Sequence, residues 1–214
     1  MEIRNFGHSS IFIRGKEQSV LLNPFRAVGC ASGLVEQNIS ADIILASSLL
    51  PDEGAKTAKG LFMVKPGSYR INGLRFEGFS RPHDRVGGRR FGMSTIWRWK
   101  QNGLTFAHLG GAASPLTLKE RLLIGQPDVL FIAVGGGAKV YDAQEAANVV
   151  AVLKPKIVIP VQYQRKAKDK ILNCDQKGVE AFLEVMKDYK VRKVGKRYTL
   201  KKQTYKNQFI YLMD

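Results

Sequence analysis

The chain has 214 residues, and its 34 lysines and arginines outnumber 18 aspartates and glutamates for a formal net charge of +16. A hydrophobic fraction of 44% is too high for a disordered chain and enough for a sizeable core. No apolar run approaches the roughly 18 residues of a membrane-spanning helix, and the start, MEIRNFGHSS, lacks an apolar secretory core and a small-residue cleavage site.

The length suits one domain over 1–214. Cys30 and Cys174 are far apart and form no CxxC, so no disulfide can be inferred from them, and a reducing cytoplasm is the expected setting. The charge is uneven. Residues 154–214 hold 16 basic and 6 acidic residues, a net of +10. So basic a surface attracts polyanions such as nucleic acid, anionic lipid or acidic protein; the alternative is a merely solvated surface.

In chain order, 9–14 and 18–22 are β-rich runs split by Gly15-Lys16, a hairpin signal. The run Asp42–Ala46 follows a polar stretch. Asn72-Gly73 and Asn102-Gly103 each separate two β-rich runs, and both residue types tolerate positive φ. Thr117 and Glu120 have capping-box spacing and open a short helix. DVLFIAV (128–134) and KIVIPV (156–161) read as strands buried on both faces. Between them, Ala146, Val149, Val150 and Leu153 mark a helix that starts at Asp142 and ends at Pro155. Val179, Phe182, Leu183 and Met186 give another amphipathic helix. Runs 198–200 and 208–212 close the chain as strands.

Several residues suggest chemistry. His8, His83 and His108 are the only histidines. GGG (135–137) before Ala138-Lys139 hints at a phosphate loop but lacks the P-loop spacing; tight turns need the same glycines. Arg81, Arg85, Arg89 and Arg90 share one loop, RPHDRVGGRRFG, and arginine binds phosphate or carboxylate bidentately. Trp97 and Trp99 share one strand face, either to pack in a core or, beside Arg98 and Lys100, to stack nucleic-acid bases. The tail (Arg192, Lys193, Lys196, Arg197, Lys201, Lys202, Lys206, with Tyr198, Tyr205 and Phe209) could track a polyanion or form a charged edge strand.

GHSSIFI (7–13), LLNPF (21–25), PHDRVGG (82–88), HLGG (108–111), VGG (134–136) and KPKIVIPVQY (154–163) stand in the order and spacing of a known family. With them the chain resembles the metallo-β-lactamase superfamily, and best its small bacterial metal-dependent hydrolases related to L-ascorbate-6-phosphate lactonase. The resemblance implies an αββα four-layer sandwich with one or two metal ions at one edge, where metal-bound hydroxide attacks an ester, amide or phosphodiester. Aligned to this chain, the Thr-His-x-His-x-Asp-His motif falls on Ser47, Ser48, Leu50, Asp52 and Glu53. The later ligands fall on His83, Gly111 and Gln162, and the Asp-Pro aspartate on Asn23. Of the metal positions only Asp52 and His83 keep a family ligand.

The resemblance thus implies the fold with a degenerate metal site. The expected function is non-catalytic, a binding or scaffold protein for an anionic small molecule, nucleic acid or acidic protein. The remnant cleft (Ser48, Asp52, Glu53, His83, Gln162, flanked by His8, Asn23, His108 and Gly111) and the arginine loop would serve it. No cofactor is expected. One alternative is a rewired hydrolase of esters, lactones or phosphodiesters. It would use zinc or manganese on Asp52, Glu53 and His83, or a metal-free Ser48–His83 pair oriented by Asp52 or Asp84. Another is nucleic-acid binding through the basic tail. In the plainest reading Asp52 caps a helix turn and Glu53 is solvated.

Overall fold

Residues 1–165, 174–200 and 208–213 are described by the computed structural model; Lys201, Lys202, Tyr205 and Lys206 of the basic tail lie outside the described residues. The N-terminal part is a meander of β1 (Glu2–Gly7), β2 (Ser10–Arg14) and β3 (Ser19–Leu22). The Gly15 amide closes the β2–β3 turn on Gln18 O at 2.9 Å. β4 (Ser40–Leu45) and β5 (Lys59–Met63) join in parallel, with the single-turn α1 (Pro51–Gly54) between them. Parallel pairing requires crossovers, so residues 23–39 return across the sheet, making a 3-10 turn at Gly29–Ala31.

A second meander follows, of β6 (Gly67–Ile71), β7 (Leu74–Pro82), β8 (Met93–Gln101) and β9 (Leu104–His108). The two Asn-Gly pairs turn it, with φ of 48° and 79° at Asn72-Gly73 and 50° and 79° at Asn102-Gly103. That is the left-handed pair a tight hairpin demands. The rest alternates: α2 (Leu118–Ile124), β10 (Val129–Ala133), α3 (Ala143–Leu153), β11 (Ile157–Val161), α4 (Glu180–Val185), β12 (Lys190–Lys193), β13 (Arg197–Thr199) and β14 (Phe209–Leu212). Both expected capping boxes form, at Thr117 with Glu120 and at Asp142 with Glu145. α3 stops at Lys154, whose φ of 46° leaves the helix just before Pro155.

The strands make a six-stranded sheet, β13-β1-β2-β3-β4-β5, and an eight-stranded sheet, β12-β14-β11-β10-β9-β8-β7-β6. Between them Ile3, Ile13, Val20 and Leu45 of the first meet Trp97, Trp99, Phe106 and Phe131 of the second. Trp97 and Trp99 are core residues, so they are not open to stack bases. Leu130, Ile132 and Val158 on the outer face of the larger sheet pack under Val150, Leu153 and Phe182 of α3 and α4. Burial on both faces is why β10 and β11 are apolar without alternation. The outer face of the smaller sheet has Phe12, Leu21 and Ile44, packed with Ile39 of the crossover loop. The fold is the expected α/β sandwich, with its regular helices concentrated over the larger sheet.

Two strands have no clear sequence signal. β5 is interrupted by Gly60 and has only one fully buried residue, and all four residues of β12 are exposed. The structure also pairs Cys30 with Cys174 across 144 residues, which the sequence gives no basis to expect. Such bonds are commonest in oxidising compartments, though intracellular proteins of hyperthermophiles hold them too. No helix among the described residues is long and apolar enough to cross a membrane.

Candidate functional site

The loops after β1, β3, β4, β7, β9, β10 and β11 meet at one end of the sandwich. Three residues there, His8, Asn23 and Gln162, have φ of 48°, 43° and 51°. A left-handed backbone costs a non-glycine residue roughly 1–2 kcal/mol. The surrounding contacts hold it: the Gln162 amide donates to His8 O at 2.8 Å and the Asn23 amide to Leu45 O at 2.9 Å. Strain of this kind gathers at functional centres, and all three residues are among the sequence candidates.

At the centre of this end is Lys139, which follows the glycine run and serves here as an internal cation and not in a phosphate loop. Lys139 Nζ donates to Asp52 Oδ2 and to Glu53 Oε1, both at 2.7 Å. Glu53 Oε1 also accepts from His83 Nε2 at 3.1 Å and from Gln162 Nε2 at 3.3 Å, and Glu53 Oε2 accepts from Ser47 Oγ at 3.0 Å. Asn23 fixes Ser47 in turn: its Nδ2 donates to Ser47 Oγ at 2.9 Å and its Oδ1 accepts the Ser47 amide at 2.7 Å. His8 Nε2 lies 3.5 Å from Asp52 Oδ2. Glu53 is wholly buried, which corrects its solvated reading. Asp52 makes no side-chain cap on α1; its carboxylate faces Lys139 instead.

The electrostatics agree with one internal ion-pair network. Burial alone would raise the Glu53 carboxyl, but the Lys139 ammonium and His83 outweigh it and hold the carboxyl well below its usual range. Burial would lower the Lys139 ammonium, and Glu53 and Asp52 together raise it. Asp52 is lowered despite burial, chiefly by His8 and Lys139. Lys139 is therefore a fixed cation and not a base.

The glycine run delivers this lysine. Gly136 and Gly137 have φ of 75° and 89°, and a Cβ on Gly135 would lie 2.5 Å from Gln162 O. The tight turn thus takes the place of the weaker phosphate-loop reading. The Ala138 amide donates to Asp175 Oδ2 at 3.1 Å, one residue beyond the disulfide at Cys174. The signal for Lys139 lay in charge balance. Two carboxylates kept without their histidines still need a buried cation.

The other candidates are placed by the same network. A Cβ on Gly111 would lie 1.8 Å from His83 Nε2, so the imidazole occupies the space an aspartate would need there. Ser48 Oγ accepts the Leu50 amide at 3.2 Å, while His83 Nε2 donates to Glu53, so the Ser48–His83 pair does not form. His108 Nε2 donates to Ser9 O at 3.3 Å and its Nδ1 accepts the Gly110 amide at 3.1 Å, which fixes a neutral ring. Burial pushes His108 down to about 4, against opposing pulls from Ser9 and Glu53. The unfolded chain binds this proton below about pH 6.5 and the folded chain only near pH 4. Stability is therefore expected to fall by about 3 kcal/mol from this group as pH drops through that window. His108→Phe should flatten that part of a urea-unfolding series; an unchanged slope rejects the assignment.

The arginine loop is largely occupied. Asp84 does not orient His83. It accepts the amides of Val86, Gly88, Arg90 and Phe91 at 2.8–2.9 Å, and these, against burial, lower its carboxyl to about 2. Arg81 is buried and donates to Tyr141 Oη at 3.0 Å and Ser114 O at 2.6 Å. Arg85 forms a double contact with Glu145 and donates to Ala113 O at 2.8 Å. Arg81 and Arg85 are thus held by the fold, against their reading as anion ligands. Arg89 and Arg90 remain exposed.

The family's metal pair does not fit this donor set. Among the described residues no group of three or more His, Cys, Asp or Glu side chains is arranged to hold a metal ion. The two carboxylates that could bind a metal already bind an ammonium, and serine, glycine and glutamine stand where ligands would be.

Residues 2–162 match the Beta-lactamase superfamily domain. Among solved structures the chain is similar to a Thermotoga maritima protein assigned as a Zn-dependent hydrolase of the metallo-β-lactamase superfamily, with TM-score 0.76 and 24% identity over 100% of both chains. It is also similar to a metallo hydrolase from the hyperthermophilic archaeon Ignicoccus hospitalis, with TM-score 0.65 and 14% identity over 94% of this chain and 99% of that one. A third similar structure is isothiocyanate hydrolase from Delia radicum gut bacteria, with TM-score 0.62 and 11% identity over 88% and 92%. At these identities the likeness carries the fold alone. No curated protein matches the chain.

Proposed function

We propose that this chain, which belongs to the metallo-β-lactamase superfamily, is a non-catalytic binding or scaffold protein for an anionic partner. One observation carries the reading: the Lys139 ammonium stands 2.7 Å from both Asp52 and Glu53, closing the pocket with a tethered cation. No group in the pocket is poised for chemistry. Ser47, His83, Glu53 and Gln162 are buried, Lys139 is held protonated, and Ser48 lacks a base. The pocket is a poor anion site too, because its two carboxylates would face any incoming anion. The net charge of +16 supports an anionic partner on the outer surface instead.

Metal analysis of gently purified protein, with turnover assays on ester, lactone and phosphodiester panels with and without added manganese, tests this. The expected result is far less than stoichiometric zinc or manganese and no turnover. Stoichiometric metal, or turnover that His83→Ala abolishes, overturns it.

A further inference from the structure

We propose that the rim of the sandwich formed by β12 and β13 binds the phosphate backbone of nucleic acid. This rests on the reading of a protein with an anionic partner and names that partner's class and its surface. β12 is the outer strand of the larger sheet and β13 of the smaller, and only Val194–Lys196 separates them. The chain therefore steps from one sheet edge to the other along one side of the molecule. Residues 187–199 expose six basic side chains, Lys187, Lys190, Arg192, Lys193, Lys196 and Arg197, against one acid, Asp188.

Among the described residues these charges are hardly neutralised. The first five make no ion pair with a described residue, and Arg197 reaches only Glu2, at 3.6 Å from Nε. Arg197 also stands directly opposite Arg4 in the β1–β13 register. Like charges facing each other across strands are unfavourable unless an anion lies between them or near them. Arg192 is already ordered, its guanidinium 3.9 Å above the Phe209 ring, which leaves its N–H edge free to donate.

The form of the strip favours a polymeric anion. β12 presents charge on both its faces, and neighbouring residues on a strand are about 3.3 Å apart. A nucleic-acid strand carries a phosphate at every nucleotide, so it can lie along such a rim of successive cations and release counterions. Among the described residues β12 is paired on one side only, and the backbone amides of an outer strand edge can serve phosphate oxygens as side chains do. Membrane insertion calls for large apolar side chains, and β12 exposes only Val191. With the tryptophans buried, contact is to phosphate and not by stacking on them, so little sequence preference is expected.

Fluorescence anisotropy with a labelled mixed-sequence RNA strand of about 20 nucleotides, and with duplex DNA of similar length, tests the proposal at about 50–200 mM salt. Binding is expected with a log–log salt slope of about −3 to −4 on single strands, as roughly five phosphate contacts require. Converting Lys190, Arg192, Lys193 and Lys196 to Gln should weaken binding at least about tenfold and flatten the slope by about 2–3. Lys16→Gln with Lys119→Gln, at exposed positions away from the strip, should change neither, and thermal unfolding should show both variants folded. No binding of either nucleic acid at low salt overturns the proposal. So does binding that the fourfold variant leaves unchanged, or capture at this strip of anionic vesicles or an acidic peptide in preference to RNA. Metal content and turnover are read separately, so failure of the strip and failure of the non-catalytic reading are distinguishable.

Discussion

Lys139→Met is expected to destabilise the protein by about 3–5 kcal/mol at neutral pH, because it leaves buried carboxylates without their cation. Glu53 is fully buried and Lys139 is its main counter-charge, so no solvent is at hand to replace it. The pH dependence makes the assignment specific. In the native chain Glu53 is held well below its usual range, so it binds fewer protons than in the unfolded chain. Its contribution is present above the unfolded carboxyl value of about 4.3 and is lost as pH falls below it. In Lys139→Met only burial and the weaker partners remain, and burial raises the carboxyl. The gap between variant and native should therefore widen as pH rises from about 4 to 8. Adding Glu53→Gln to the Lys139→Met variant should recover most of the loss. Urea unfolding of the single and double variants at both ends of this range measures it. An equal loss at both pH values, or no recovery in the double variant, would show that Lys139 acts by packing alone. Should the single variant fail to fold, the double variant still tests the pairing.

Reduction of Cys30–Cys174 is expected to cost about 5 kcal/mol, since the bond closes a loop of 144 residues and so restricts the unfolded chain strongly. Paired urea titrations with and without a phosphine reductant, repeated on Cys30→Ser/Cys174→Ser, give the number. The loss should carry a local sign as well. Cys30 lies in the 3-10 turn beside α1, which bears Asp52 and Glu53. Cys174 precedes Asp175, which accepts the amide of Ala138 next to Lys139. Reduction should thus speed hydrogen exchange at Ala138 more than in the β10–β11 core. Equal stability in the two redox forms would mean the bond constrains nothing the fold does not already fix.

Local chemistry made most of the fold legible. Asn-Gly pairs set two hairpins, two capping boxes set helix starts, and continuous apolar runs marked β10 and β11. β5 and β12 escaped because an edge strand needs neither alternation nor burial. The site was legible in its positions but not in its bonding. Asp52, Glu53, His83, Gln162, His8 and Asn23 do converge, yet which groups pair there depended on Lys139, 86 residues from Glu53 in sequence. The cysteine pair, equally remote, had no local signal at all. Long-range partners chosen by charge and proximity leave no periodicity to read.

The imidazole that fills the space beside Gly111 makes the metal site of the family hard to build in this pocket. An aspartate at 111 would collide with His83, whose Nε2 sits 1.8 Å from where the new Cβ must go. Moving His83 aside would break its bond to Glu53, and freeing Glu53 for a metal would first require removing Lys139. Each single step toward a two-metal site therefore begins with a loss, and the gain arrives only when several have been made together. Directed evolution of such a site by one substitution at a time should stall here, and building it would need residues 53, 83, 111 and 139 redesigned as a set.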